Sequence, residues 1–227
     1  MGALDDEALA DLHERIRRDA AFDHLREDGI RLVPGIGSEE PIAMVVGEAP
    51  GATENESGEP FCGASGHVLD QLMELAGLRA RPWYPENGAE ADRLDGVVPP
   101  NVWLTNTVKY RPPGNRTPWF TEVAASAEHL RAEWRAIGKP RLIVCVGSVA
   151  ATAIGVHNPS RVTRGEIYPL RNNVWVAYQF HPAYGLRGGT ERRAALERQW
   201  ETMGELLNDP YMREELGWDT RQYPTVS

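Results

Sequence analysis

The sequence predicts an α/β protein built on a four-stranded parallel sheet, and three observations predict it. Four short apolar runs, residues 42–46, 102–105, 141–146 and 174–180, have strand length and β-branched content. Segments with apolar residues at helical spacing lie between and after them, as helical crossovers between parallel strands require. Three of the runs stop at polar, loop-presented groups: Glu48, Asn106 and His181. A parallel sheet gathers such strand ends on one rim, where open α/β sheets bind ligands.

The totals bound the rest. A chain of 227 residues fits one generous domain, residues 1–227, with length enough to bury a full core. No apolar run approaches the roughly 18–20 residues that span a bilayer, and the start lacks a signal-peptide core, so a cytoplasmic monomer without membrane contact is expected. Two cysteines, Cys62 and Cys145, are too few for a disulfide framework or a four-thiolate metal site. The net charge of −9 argues against indiscriminate nucleic-acid binding but leaves room for a local basic face.

Residues 4–28 are dense in charge, with Leu9, Leu12 and Ile16 at helical spacing, and predict an amphipathic helix on the flank. Gly35-Ile36-Gly37 precedes the first strand instead of following it, so it is no dinucleotide fingerprint. The first strand stops at Gly47-Glu48-Ala49-Pro50-Gly51. The loop that follows carries Glu48, Glu54 and the aromatic Phe61, and Ala49 and Gly51 belong to its glycine-rich backbone. Backbone donors, acids and a ring in one short loop describe a pocket for a flat polar molecule. An amphipathic helix with Val68, Leu69, Leu72, Leu75 and Ala76 comes next, then a proline-rich and acidic surface insertion over 79–100.

The second strand ends at Asn106 and runs into Lys109, Arg111 and Arg116, cations on a proline- and glycine-rich loop placed to meet phosphates. Residues 119–137 form a helix, and 141–146 is the most hydrophobic strand, hence the sheet centre. Cys145 reads as a buried small hydrophobe. Gly147-Ser148 opens a further helix, and Arg161, Arg164 and Arg171 decorate a loop or hairpin before the fourth strand. That strand runs into His181-Pro182-Ala183-Tyr184-Gly185-Leu186-Arg187. A terminal helix spans 190–207 with Thr190 as its N-cap, and a loosely packed tail begins near 208.

The ordered set GEAPG, GEPFCGASG, LTNTVKYRPPGNR and HPAYGLR resembles the uracil-DNA glycosylase superfamily, and is most similar to family 4, from about Arg31 to Leu207. The resemblance implies a three-layer α/β/α fold around a four-stranded parallel sheet. It also implies uracil-containing DNA as substrate and hydrolysis of the N-glycosidic bond. By position it makes Phe61 the ring that stacks on flipped uracil, Asn106 the reader of the base edge and His181 the donor to uracil O2. Glu48 becomes the carboxylate at the sugar, Glu54 the group crowding the base 5-position and Asn115 a further pocket residue. Leu186 and Arg187 would fill the gap in the duplex and hold a phosphate.

Family 4 members usually hold an iron–sulfur cluster on four cysteines. Here Tyr110 stands in the KCRPP-like motif, Ser126 at the helix position, and Ala20 and Asp23 near the CxxC places, so no cluster and no metal are expected. Three other functions fit parts of the pattern. They are a non-catalytic binder of uracil-containing or modified DNA, a glycosylase for another base, and a nucleotide-binding enzyme using the Gly147 turn. The last lacks a P-loop lysine.

Overall fold

The computed structural model describes residues 4–79, 100–156, 164–171, 173–187 and 189–218. The expected insertion therefore lies almost wholly outside the described residues, as do Arg161 and the side chain of Arg171.

The four expected strands form, and all their residues but the partly buried Trp175 are buried because both faces of each strand are covered. They are β2 (Ala43–Gly47), β3 (Val102–Asn106), β4 (Leu142–Val146) and β6 (Val174–Gln179), parallel in the order β3-β2-β4-β6. The sheet has six strands, not four. β1 (Ile36–Gly37) pairs antiparallel with β3, and β5 (Ile167–Arg171) pairs antiparallel with β6. Both are edges: β1 is two residues long and β5 is bulged at Pro169–Arg171, and short or irregular edges resist further pairing.

Strand alternation separates two cores. Val45, Leu104, Val144 and Ala177 face one layer, made of α3 (Ala64–Leu75), α7 (Gly189–Asn208) and α8 (Pro210–Leu216). Met44, Val46, Ile143, Cys145 and Tyr178 face the other, made of α4 (Phe120–Ala136) and α5 (Ser148–Ile154), with Leu9 reaching in from α1 (Asp6–Arg18). The result is the three-layer α/β/α fold. A short helix, α2 (Ala52–Ser57), lies in the loop after β2, and α6 (Ala183–Leu186) follows His181. No helix among the described residues is long and apolar enough to cross a membrane.

Three boundaries differ from expectation. α7 begins at Gly189, so Thr190 is its second residue and not its N-cap. The segment 4–28 is α1 followed by a 3-10 turn, Ala20–Leu25, broken at Asp19, whose extended backbone lets its carboxylate cap Ala21 at 2.9 Å. The tail is not loose through its first part: Asp209 caps α8, and Leu216 and Trp218 are buried.

The N-terminal segment docks through a small third core of Leu12, Ile16, Phe22, Leu25, Val108 and Tyr110. Two carboxylate–imidazole pairs tie the same segment to α4. Asp19 meets His129 at 2.7 Å, and His24 meets Glu122 at 2.6 Å.

Candidate active site

The parallel register sets Gly47 beside Asn106, so the ends of β2 and β3 are in contact. Thr107 locks that contact, its amide and its hydroxyl donating to the Gly47 carbonyl at 2.9 and 2.8 Å. Only glycine fits at 47. An added Cβ would overlap the Phe61 ring and the Asn106 amide oxygen, so the glycine is what lets both side chains meet above the strand end. Phe61 is buried and its backbone is left-handed, at φ 54°, a conformation rarely kept by a bulky residue without surrounding constraint. Gly66 packs against its carbonyl with no room for a Cβ.

From the other side of the rim comes His181, whose ring centroid lies 6.5 Å from that of Phe61, tilted by 32°. Its Nδ1 accepts the Ala183 backbone N–H at 3.2 Å. A neutral imidazole held in this way carries its proton on Nε2 and is a hydrogen-bond donor there. Burial, followed by the nearby Arg187 charge, holds the imidazole pKa below its ordinary value. Gly147 lies against the His181 side chain, and its left-handed backbone, at φ 99°, would be strained by any residue with a Cβ.

Glu48 is half-buried at the end of β2. Burial raises its pKa above the ordinary carboxylate value, while the Thr117 hydroxyl and then Arg187 act to lower it. The charge of Arg187 thus reaches both Glu48 and His181. Glu48, Phe61, Asn106, His181 and Arg187 form one constellation. It can stack a flat ring on Phe61, read its edge with an amide, donate to an oxygen from His181 and hold a carboxylate nearby.

Other expected residues stand elsewhere. Lys109 is not on the surface: it is 3% exposed, and its Nζ donates to Glu133 at 2.6 Å, to the Asn106 carbonyl at 2.8 Å and to Thr105. A cation so enclosed does not meet a phosphate. Arg116 is bound to Glu122 through both terminal nitrogens, at 2.9 and 2.6 Å, and lies over the Trp119 ring. Glu54 closes its own loop, each carboxylate oxygen accepting one backbone N–H, from Gly51 and Gly63, at 3.0 Å. The Gly51 amide, expected to face substrate, is engaged there. Asn115 sits on an exposed turn and accepts from Arg111 at 2.7 Å. Ala49 packs against the third core. Leu186 is 52% exposed, and Arg187 is exposed beside it.

Sequence reasoning missed Thr117, Thr107 and the support role of Lys109, for which spacing carries no signal. It also missed a cavity of about 450 Å³ lined in part by His181, Ser148, Arg164 and Phe180. This cavity borders His181 but not Glu48, Phe61 or Asn106, so the convergence of polar groups marks the site better than the hollow does.

The residues present do not fit an iron–sulfur cluster. Cys145 lies mid-strand in the core and Cys62 in the loop after α2, hydrogen-bonded to Ser57. The region of Ala20, Asp23, Tyr110 and Ser126 holds side chains of other kinds. Phe22 packs against Tyr110 and His129, at ring separations of 6.2 and 5.9 Å, and Ser126 donates to the Glu122 carbonyl.

The family model described as "Uracil DNA glycosylase superfamily" matches residues 34–204. The chain is 34% identical over 183 residues to a type-4 uracil-DNA glycosylase of Archaeoglobus fulgidus, covering 77% of this chain and 81% of that protein. It is 38% identical over 163 residues to a type-4 enzyme of Pyrobaculum aerophilum, covering 68% and 73%. A type-5 uracil-DNA glycosylase of Mycobacterium leprae is 32% identical over 162 residues, covering 67% and 68%.

Proposed function

The chain belongs to the uracil DNA glycosylase superfamily, and on that premise we propose that it hydrolyses the N-glycosidic bond of deoxyuridine in DNA, releasing uracil and leaving an abasic site. Flipping the nucleotide out of its stack brings the base to Phe61 and its edge to Asn106. The asparagine carbonyl takes uracil N3–H, and its NH₂ gives to O4. The C1′–N1 bond then breaks with its electron pair going to the base, so negative charge develops on O2 and positive charge on the sugar. Nε2–H of His181 donates to that oxygen. Glu48 faces the cationic sugar and orients the water whose oxygen bonds to C1′. One proton of that water ends on the departing uracil, which balances the hydrolysis.

The observation that carries this reading is the Ala183 N–H on Nδ1 of His181, because it leaves the proton on the nitrogen that the reaction needs. A donor already neutral gains strength as charge develops, and such groups are typically worth about 10²–10³ in rate.

The same reading has the protein work without an iron–sulfur cluster. Aromatic packing and two carboxylate–imidazole pairs support this, holding the N-terminal segment where family 4 usually places iron.

The test is incubation with a labelled uracil-containing oligonucleotide followed by alkali cleavage. Cleavage is expected at uracil alone, in protein that is colourless and free of iron. Asn106→Ala is expected to abolish it. Undiminished cleavage by that variant would remove the base-reading role, and no cleavage by the unmodified protein would remove the function.

A further inference from the structure

Phe120 and Trp119 are the most conspicuous exposed rings near the site. Phe120 is 78% exposed at the first position of α4, and Trp119 beside it is 55% exposed. Single exposed apolar residues are ordinary; this pair differs in how firmly it is held. Trp119 is stacked with His24, at 5.1 Å and 13°, and lies beneath the Arg116 guanidinium at 3.9 Å. Its backbone N–H donates to Glu122, the carboxylate that also binds Arg116 and His24. Trp119 is thus a fixed base, and Phe120 is the ring left facing solvent.

The place of this ring follows from Thr117, whose side chain stands close enough to Glu48 to lower its pKa. Phe120 is three residues further on, so at most about 10 Å of chain separates it from a contact of the glycosidic site. Charge adds a second argument. Of the four cations expected to meet DNA, Lys109 is enclosed and Arg116 is bound to Glu122, on a chain of net charge −9. Contacts that are not ionic gain weight where two of the four expected ionic ones are taken.

We propose that Phe120 is a stacking platform for an unpaired nucleobase adjacent to the uracil being excised, and that the protein therefore favours single-stranded DNA. The proposal rests on the function given above and names the form of its substrate. Every base has a π-face, so such a platform is indifferent to sequence. In a duplex both faces of the neighbouring base are already stacked and its edge is paired, whereas in a single strand a face is free. The surrounding ion pairs bring the ring to its position without a cost at each binding event, since the loop is ordered beforehand.

The test compares unmodified protein, Phe120→Ala and Phe120→Tyr on matched single-stranded and duplex uracil oligonucleotides. Binding to a single strand carrying an abasic-site analogue is measured by anisotropy. Phe120→Ala is expected to weaken single-strand binding and raise its KM roughly tenfold, with kcat and the duplex reaction nearly unchanged. Phe120→Tyr is expected to retain both. Equal loss on the two substrates, or no loss on either, overturns the platform. The anisotropy arm needs no catalysis, so weakened single-strand binding without cleavage by any form would sink the glycosylase reading and leave the platform standing.

Discussion

The Nζ of Lys109 donates to the backbone carbonyl of Asn106 at 2.8 Å, from a position almost wholly out of solvent. The same nitrogen is held by Glu133 at 2.6 Å, and Glu133 also accepts from Trp103 and Thr105, each at 3.0 Å. Burial lowers the lysine pKa and the Glu133 charge raises it, the response expected of a paired interior amine. Buried ion pairs contribute little net stability, because desolvation opposes their attraction. What this pair does is fix the last residue of β3, the one whose amide is proposed to read the base.

Lys109→Met should therefore destabilise the fold by about 3–5 kcal/mol, because it leaves Glu133 buried without its cation. Lys109→Met combined with Glu133→Leu should recover part of that stability and none of the uracil activity, since the Asn106 carbonyl is still untethered. Thermal denaturation and kcat/KM, measured together, separate the two effects. Wild-type turnover by the double variant would show that the tether has no bearing on Asn106.

His181 should give the pH profile an acid limb below the ordinary histidine value of about 6.5, because burial holds it neutral further down. A folded-state pKa below the unfolded one means that the unfolded chain binds the proton first. Stability is full above about pH 6.5 and falls as pH drops from there toward the lowered value. His13, also lowered chiefly by burial, adds to the same loss. His181→Ala should remove this acid limb from what activity remains and reduce kcat by about 10²–10³. An unchanged limb would assign the titration elsewhere.

Glu122 works in a lower window. Its pKa is brought down to about 2 against the burial that opposes it, first by the Arg116 hydrogen bonds, then by His24 and the Trp119 amide. The stability it contributes is complete above its ordinary value near 4.5 and is lost as pH falls from there toward 2. Glu122→Gln should cost about 1–3 kcal/mol at neutral pH, the partners being partly exposed, and cost much less near pH 2. Urea titrations at the two pH values measure this. A loss that is the same at both would mean that the carboxylate charge is not what holds the loop.

DNA affinity should depend only weakly on salt. Arg111 and Arg187 are the two of the four expected cations not enclosed or paired with a carboxylate in the structure. Two neutralised phosphates give a log–log slope of roughly −1.4 to −1.8, from single strands to duplex. Glu122→Gln, by releasing Arg116, should steepen it by about one unit. A slope of roughly −2.1 to −2.7 for the unmodified protein would show that Arg116 already leaves Glu122 on binding.

Much of this was legible from the chain alone. The four parallel strands announce themselves as apolar runs because both of their faces are covered, and a local pattern reports local burial. The order of loop residues after those strands, Glu48, Phe61, Asn106 and His181, was likewise written in the sequence. The parallel register is what brings three of those loops to one rim. Lys109 and Arg116 show where such reading ends. As sequence the two look alike, basic residues on a proline-rich loop, and each was expected to meet DNA. Their fates depend on Glu133 and Glu122, two acids on α4 that helical spacing would place on a solvated face as readily as on a buried one. The anchoring of Trp119 needs His24 as well, 98 positions from the carboxylate that binds it. Pairing across such a span depends on where the tertiary structure sets α4 against the N-terminal segment, and no periodicity in the sequence records it. Sequence determined which residues reach the rim; the packing of α4 decided which cations were left to face outward.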